Sequence, residues 1–137
     1  MAELSPRISP EEYRQLMAQQ AQWTHKYHIA APEDRTYNGI VYHSKAEART
    51  AWTLDRQLQQ GQITGWERQV RFPLVVNDQD VGYYTADFVV THLDATRELI
   101  EVKGFFTKEA KFRWRVFLAL YQRQWGALGW KITLEQT

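Results

Sequence analysis

The sequence predicts an α/β (α+β) fold with a mixed central sheet flanked by helices. Extended segments rich in β-branched and aromatic residues lie between two amphipathic helical segments, and one more short strand ends the chain. The helices are expected at residues 44–61 and about 107–125. The strands are expected at residues 63–76, 81–93, 97–105 and 131–134. The core order is therefore αβββαβ, with an extra N-terminal helix.

Length and composition restrict the function. A chain of 137 residues with 44% hydrophobic residues is long and apolar enough for one domain with a core. The absence of cysteine excludes disulfides, thiolate metal sites and cysteine nucleophiles. The N-terminus is too polar for a signal peptide, and the apolar run at residues 116–121 is too short to span a bilayer. We therefore expect a soluble intracellular protein without a membrane partner.

The N-terminal segment predicts a helix that packs on the main body. Ser9, Pro10 and Glu12 form a capping box with proline at the first helical position, and the helix is expected to reach about His25. A polar linker follows, so we divide the chain into an N-terminal helix with its linker (1–34) and a main domain (35–137). Within the main domain, Asn38-Gly39 predicts a tight hairpin turn.

Three charged residues interrupt the second and third predicted strands. If residues 94–96 form the turn between these strands, Asp87 lies opposite Lys103 and diagonal to Glu101, and all three share one face. The other face carries the expected core residues Phe88, Val90, Ile100 and Val102. The sequence thus predicts one polar and one apolar face.

The chemistry of this group suits a divalent metal. Two close carboxylates repel each other unless a cation lies between them, and hard oxygen ligands favour Mg²⁺ or Mn²⁺. A lysine two residues beyond the second acid can orient a water or stabilise charge on a phosphate. A solvated strand face with an ordinary ion pair is the alternative.

Glu47 has two interpretations. It is the third helical residue after Ser44 and completes a second capping box. It also lies in line with Ala51, Leu54 and Leu58, the stripe expected to face the sheet. An acid on that stripe needs a partner, and a metal or metal-bound water could serve.

Four stretches resemble the PD-(D/E)XK nuclease superfamily, with its restriction-endonuclease-like fold. They are SKAEA (44–48), WERQVRFPL (66–74), TADFVV (85–90) and IEVKGFFT (100–107). The chain is more closely similar to short phage and prophage proteins that form a group of unknown function and are likened to endonucleases and junction resolvases. The similarity covers residues 35–125. Ala86 stands where the superfamily often has proline.

The resemblance implies roles for individual residues. Asp87 and Glu101 match the two acids and Lys103 the lysine of the motif, while Glu47 matches an acid on the first core helix and Gln69 a glutamine found in some branches. It implies a site at the split edge of the sheet and a bacterial host cytoplasm as the location.

The helix after the site predicts a nucleic-acid partner. Lys108, Lys111 and Arg115 share one face of it, opposite the apolar face, and suit phosphate contacts. A solvated helix face is the alternative. Phe105 and Phe106 could stack on bases or could begin the packing of this helix.

We therefore expect a Mg²⁺- or Mn²⁺-dependent endonuclease acting on DNA, with branched DNA as one candidate substrate. Asp87 and Glu101 would hold the metal with the Val102 carbonyl, Lys103 would position the attacking water, Glu47 would bind a second metal or its water, and Gln69 would assist orientation. The alternatives are a nucleic-acid-binding module without turnover and a phage interaction protein that contacts a phage or host protein through the N-terminal helix. Action as a homodimer is left open.

Overall fold

A computed structural model describes residues 9–15, 30–103 and 107–136 of the chain. The chain divides into two compact units, Met1–Arg49 and Thr50–Thr137. Each unit is described by itself below.

The first unit begins with a capped helix and contains a short hairpin. Helix α1, described over residues 10–15, starts at the predicted capping box: Glu12 N–H donates to Ser9 Oγ (3.1 Å) and Ser9 N–H to Glu12 Oε2 (2.7 Å). Its predicted continuation to His25 lies outside the described residues. Strands β1 (Thr36–Tyr37) and β2 (Ile40–Val41) form the predicted hairpin. Asn38 and Gly39 form its turn, with φ of 52° and 78°.

Helix α2 (Lys45–Gln59) has capping interactions at both ends. Ser44 Oγ accepts the Glu47 N–H (3.1 Å), as the sequence predicts. At the other end Gly61 has a φ of 70°, and the N–H of Gln62 donates to the Gln57 carbonyl (2.8 Å), which is a Schellman motif. Glu47, Ala51 and Leu54 of the predicted stripe are buried. The prediction is wrong for Leu58, which is exposed because it lies in the last turn.

Four strands form a mixed sheet in the order β3-β4-β5-β6. They are β3 (Ile63–Val76), β4 (Gln79–His92), β5 (Arg97–Lys103) and β6 (Lys131–Gln136). The first three are antiparallel, and β6 is parallel to β5. A parallel neighbour requires a crossover connection, and helix α3 (Lys108–Ala127) supplies it. The mixed α/β class and the αβββαβ order are confirmed.

Several element ends differ from the predicted ones, and β6 reaches Gln136 rather than residue 134. Strand β4 begins at Gln79 rather than at residue 81, because Asn77 and Asp78 alone form the turn, with φ of 49° and 63°. Helix α3 continues through Gly126 to Ala127, and Gly129 (φ 74°) is the residue that ends it.

One face of the sheet packs on α3 through aromatic rings. The α3-side cluster contains the buried residues Leu74, Tyr84, Ala86, Val89, Leu99, Phe117 and Trp125. Phe117 lies at its centre, with ring centroids 4.6 Å from Tyr84, 5.2 Å from Phe72 and 5.0 Å from Tyr121. Such pairs add about 0.5–1.5 kcal/mol each beyond the burial of their area. The predicted apolar face of α3 is therefore confirmed.

No helix within the described ranges is long and apolar enough to cross a membrane.

Gly61 and Gly126 provide a matched test of the helix ends. Gly61→Ala should destabilise the protein by about 1–2 kcal/mol, because alanine is strained at a positive φ although no atom obstructs its Cβ. Gly126→Ala should stabilise the protein by about 0.5–1 kcal/mol, because this glycine is helical and its Cβ would also meet no atom within 4 Å. Urea unfolding measures both, and equal effects would contradict the cap assignment.

Candidate functional site

Asp87 and Glu101 lie opposite each other at the end of the β4–β5 pairing. The paired residues run from Thr91–Arg97 to Phe88–Ile100. The next pair in this register is Asp87 with Glu101. The sequence-based pairing of Asp87 with Lys103 is therefore wrong by two residues.

The position of the turn explains this error. The turn is three residues long, as predicted, but it comprises residues 93–95, since the N–H of His92 donates to the Thr96 carbonyl (2.8 Å). Ala95 adopts the left-handed conformation (φ 68°), a position that glycine usually occupies in such turns. A shift of one residue in the turn moves the partners by two, so the side chains keep their alternation and only the pairing changes.

The two carboxylates hydrogen-bond across the strand ends. Val102 N–H donates to Asp87 Oδ2 (2.8 Å), and Asp87 N–H donates to Glu101 Oε2 (3.3 Å). The Tyr84 hydroxyl also donates to Glu101 Oε2. Each acid thus accepts a backbone N–H of the neighbouring strand beyond the last backbone pair.

The side-chain alternation of β4 breaks at this point. Ala86 and Val89 both belong to the α3-side cluster, although residues three apart point to opposite faces of a regular strand. On β3, Gln69 has a φ of 53° between the pairs Arg68–Phe88 and Val70–Ala86. Register therefore aligns Gln69, Asp87 and Glu101 across three neighbouring strands, and the left-handed Gln69 lies opposite the point where the alternation of β4 breaks.

Both acids are buried: Asp87 is 5% exposed and Glu101 1%. The predicted core residues Phe88, Val90, Ile100 and Val102 are buried, as expected. The opposite face is not simply polar, because Val89 and Leu99 are buried on it. Burial and the charge of Glu101 raise the pKa of Tyr84 above its usual value, so this tyrosine stays a neutral donor at physiological pH.

The donor set fits a magnesium ion. Mg²⁺ keeps several waters and takes one or two carboxylates together with substrate phosphates. Asp87 and Glu101 supply two hard oxygen donors. Within the described ranges no three or more His, Asp or Glu side chains group closely enough to hold a metal by themselves.

Glu47 is buried in the first unit beside an arginine that the sequence analysis missed. Its Oε2 lies 3.6 Å from His43 Nδ1, and Arg35 is buried as well. Burial lowers the pKa of Arg35, while the charge of Glu47 opposes this shift. Arg35 donates to the carbonyls of Ala30 and Tyr42. It ends the polar linker, where nothing in the sequence signals burial. The metal role of Glu47 stays a prediction.

The remaining predicted residues lie at β5 and α3. Lys103 is the last residue of β5, and its role stays a prediction. Lys108, Lys111 and Arg115 are exposed on α3, as the helical spacing predicts. Phe105 and Phe106 lie outside the described residues.

Comparison with known proteins gives one result. The family described as "Protein of unknown function (DUF1064)" matches residues 24–133, most of the chain. The chain belongs to this family. No curated protein and no solved structure matches it. Membership of a family of unknown function is therefore confirmed. The phage or prophage origin, the likeness to resolvases and membership of the nuclease superfamily stay predictions.

Tyr84 is a further residue of the candidate site, and the sequence pattern did not predict its role. It lies three residues before Asp87, a spacing that would separate their faces in a regular strand. Its hydroxyl nevertheless reaches Glu101, where the alternation of β4 is broken. Phe112, an aromatic residue between Lys111 and Arg113, was also not singled out.

Tyr84→Phe should destabilise the protein by about 1.5–3 kcal/mol at pH 7, because a buried carboxylate loses a hydrogen-bond donor. The folded-state pKa of Tyr84 is raised above its ordinary value of 10.0, so the tyrosine contributes stability that is present below about pH 10 and is lost as pH rises further. The difference between wild type and variant should therefore shrink above pH 10. Urea unfolding from pH 7 to 11 measures it, and a constant difference would contradict the assignment.

Proposed function

We propose that this protein is a metal-dependent endonuclease that hydrolyses phosphodiester bonds of DNA. One observation carries the proposal: two buried carboxylates, Asp87 and Glu101, face each other at a break in the sheet, and Lys103 follows two residues later on β5. Buried acids placed together are expensive for a fold and are typical of functional sites. The resemblance to the PD-(D/E)XK pattern agrees with this arrangement.

Asp87 and Glu101 would hold Mg²⁺ or Mn²⁺, together with the carbonyl of Val102. The ion would supply Lewis-acid stabilisation of the phosphate and lower the pKa of a water. The protein would hold these ligands in fixed orientations. The Val102 N–H donates to Asp87, and the Tyr84 hydroxyl donates to Glu101.

Lys103 and Gln69 would act on the reacting groups. Lys103, two residues beyond Glu101 on β5, would orient the attacking water or stabilise charge that develops on the phosphate. Gln69 is aligned with Asp87 and is held at a φ of 53°, a conformation that costs a non-glycine residue energy and that clusters at functional sites. Its amide would assist the orientation of the water.

The exposed face of α3 would bind the DNA backbone. Lys108 is the first residue of α3, and Lys111 and Arg115 lie on the same exposed face of the helix. The positive charges of these side chains suit contacts with phosphates. Thr107 caps the helix by accepting the Ala110 N–H (3.0 Å), which fixes where the basic face begins.

A nucleic-acid-binding module without turnover is the second candidate. The observation that favours it is that both carboxylates accept backbone N–H groups and so already have a structural role. Under this candidate α3 binds nucleic acid and the acids serve the fold alone.

Metal binding should stabilise the folded protein. At a Mg²⁺ or Mn²⁺ concentration of about 100 times Kd, the gain is about 2.7 kcal/mol, which raises the Tm by several degrees. Asp87→Asn should abolish this rise, because it removes one of the two ligand charges. Asp55→Asn is the matched control, since Asp55 is a carboxylate on α2 that accepts the Trp66 indole N–H (2.9 Å). Equal metal-induced shifts in all three proteins would refute the metal site.

Lys103→Ala should reduce strand cleavage by about 100-fold or more while DNA binding changes little, because its role lies in the transition state. Cleavage of junction, flap, duplex and single-stranded DNA with Mg²⁺ or Mn²⁺ measures this. Lys131→Ala, which removes an exposed lysine from β6, should cleave normally. If the wild type cleaves none of these substrates, the module without turnover is the better description.

A further inference from the structure

An exposed phenylalanine lies in the middle of the basic face of α3. Phe112 is 68% exposed. The other aromatic residues of this helix, Trp114, Phe117, Tyr121 and Trp125, are buried or half-buried against the sheet. Phe112 therefore contributes little to the core, and most of its side chain is in contact with solvent.

A cationic side chain lies on each side of this ring along the helix. Lys108 is four residues before Phe112 and Arg115 is three residues after it, so both are its neighbours on the helix surface. Helix α3 carries five Lys or Arg residues and one acid, Glu109. Glu109, three residues before Phe112, is the one acid beside it. A protein partner of ordinary hydrophobic character would not match a phenylalanine flanked by Lys108 and Arg115, whereas a polyanion with flat rings would.

A second aromatic residue extends the same surface onto the sheet. Tyr83 of β4 is 42% exposed, and two guanidinium groups lie over its ring. The Cζ of Arg71 is 4.4 Å from the ring centroid, and that of Arg113 is 5.6 Å from it. Arg113 is an exposed α3 residue, so its side chain joins the exposed ring of Tyr83 on β4 and Arg71 on β3 to the cationic surface of α3.

We infer that this basic-aromatic surface (Lys108, Lys111, Phe112, Arg113, Arg115, Tyr83 and Arg71) binds unpaired nucleotides of a DNA substrate. Phosphates of the strand contact the lysine and arginine side chains, and a base stacks on Phe112. Bases in a duplex are already stacked and offer only their edges in the grooves, so a ring such as Phe112 selects bases that are unpaired. The inference rests on the proposed function for the identity of DNA as substrate.

Binding in the presence of a chelator tests the inference separately from cleavage. Fluorescence anisotropy should show that the wild type binds a labelled oligothymidylate of about 16 nucleotides more tightly than a duplex of the same length. Phe112→Leu keeps an apolar side chain but removes the π face, and it should weaken single-strand binding by about 5- to 100-fold. Because Phe112 is exposed, this variant should keep the Tm of the wild type.

A matched aromatic control is available on α2. Trp52 is 48% exposed, and the Cζ of Arg56 lies 4.9 Å from its ring centroid, so it reproduces the pairing of an exposed ring with a guanidinium group. Trp52→Leu should leave single-strand binding unchanged. An equal loss in Trp52→Leu and Phe112→Leu would overturn the assignment of this surface.

Salt dependence separates stacking from phosphate contact. Lys111→Gln should reduce the slope of log K against log salt by about 0.7, the value for one phosphate contact on a single strand. Phe112→Leu should lower the affinity without changing this slope. If Phe112→Leu has no effect on affinity, or weakens duplex and single-strand binding equally, the inference is wrong.

The two proposals fail in different ways. Metal-dependent cleavage by a wild type that shows no preference for single strands would overturn the inference and keep the endonuclease. Single-strand binding that depends on Phe112, without any cleavage in Mg²⁺ or Mn²⁺, would overturn the endonuclease and keep the inference.

Discussion

The second unit depends on the exchange of hydrogen bonds between Asp87 and Glu101 and the backbones of the strands beside them. A buried backbone N–H must find an acceptor, and beyond the Phe88–Ile100 pair the acceptors are carboxylate oxygens. A buried carboxylate in turn needs donors, and the backbone supplies them. The strand ends need the carboxylates as acceptors, and the buried carboxylates need the strand N–H groups as donors. The two acidic side chains are therefore part of the structure of the sheet.

The aromatic cluster below the sheet makes this arrangement rigid. Phe117 stacks on Tyr84 (4.6 Å between ring centroids), and the Tyr84 hydroxyl donates to Glu101. The packing of α3 therefore fixes a donor at the acid pair, and a change in the position of that helix would move the hydroxyl. Since the outer face of the same helix carries the basic-aromatic surface, core packing links the proposed DNA contacts to the acids.

Periodicity and local turn signals were enough to predict the fold class, the order of the elements and the proximity of Asp87 and Glu101. The pairing could not be predicted, because a left-handed Ala95 has no signature in the sequence and decides which residue faces Asp87. The left-handed Gln69 is equally hidden in an apparently regular strand. The contact of Tyr84 with Glu101 occurs where the alternation of β4 breaks, so a regular strand pattern does not predict it. Arg35 is buried through hydrogen bonds to the carbonyls of Ala30 and Tyr42, which lie in separate parts of the first unit. Tertiary structure overrides local pattern at each of these positions.

The burial of the acids bears on the kind of substrate that the proposed function requires. Asp87 and Glu101 are 5% and 1% exposed, so under the proposed function the strand would bend towards them to bring a phosphate within reach. Duplex DNA resists such bending, with a persistence length of about 150 base pairs. A strand with unpaired nucleotides turns sharply at little cost, and it also offers free bases to the exposed ring of Phe112. The burial of the acid pair and the exposure of the Phe112 ring are independent features, and under the proposed function both would favour a substrate that contains single-stranded DNA.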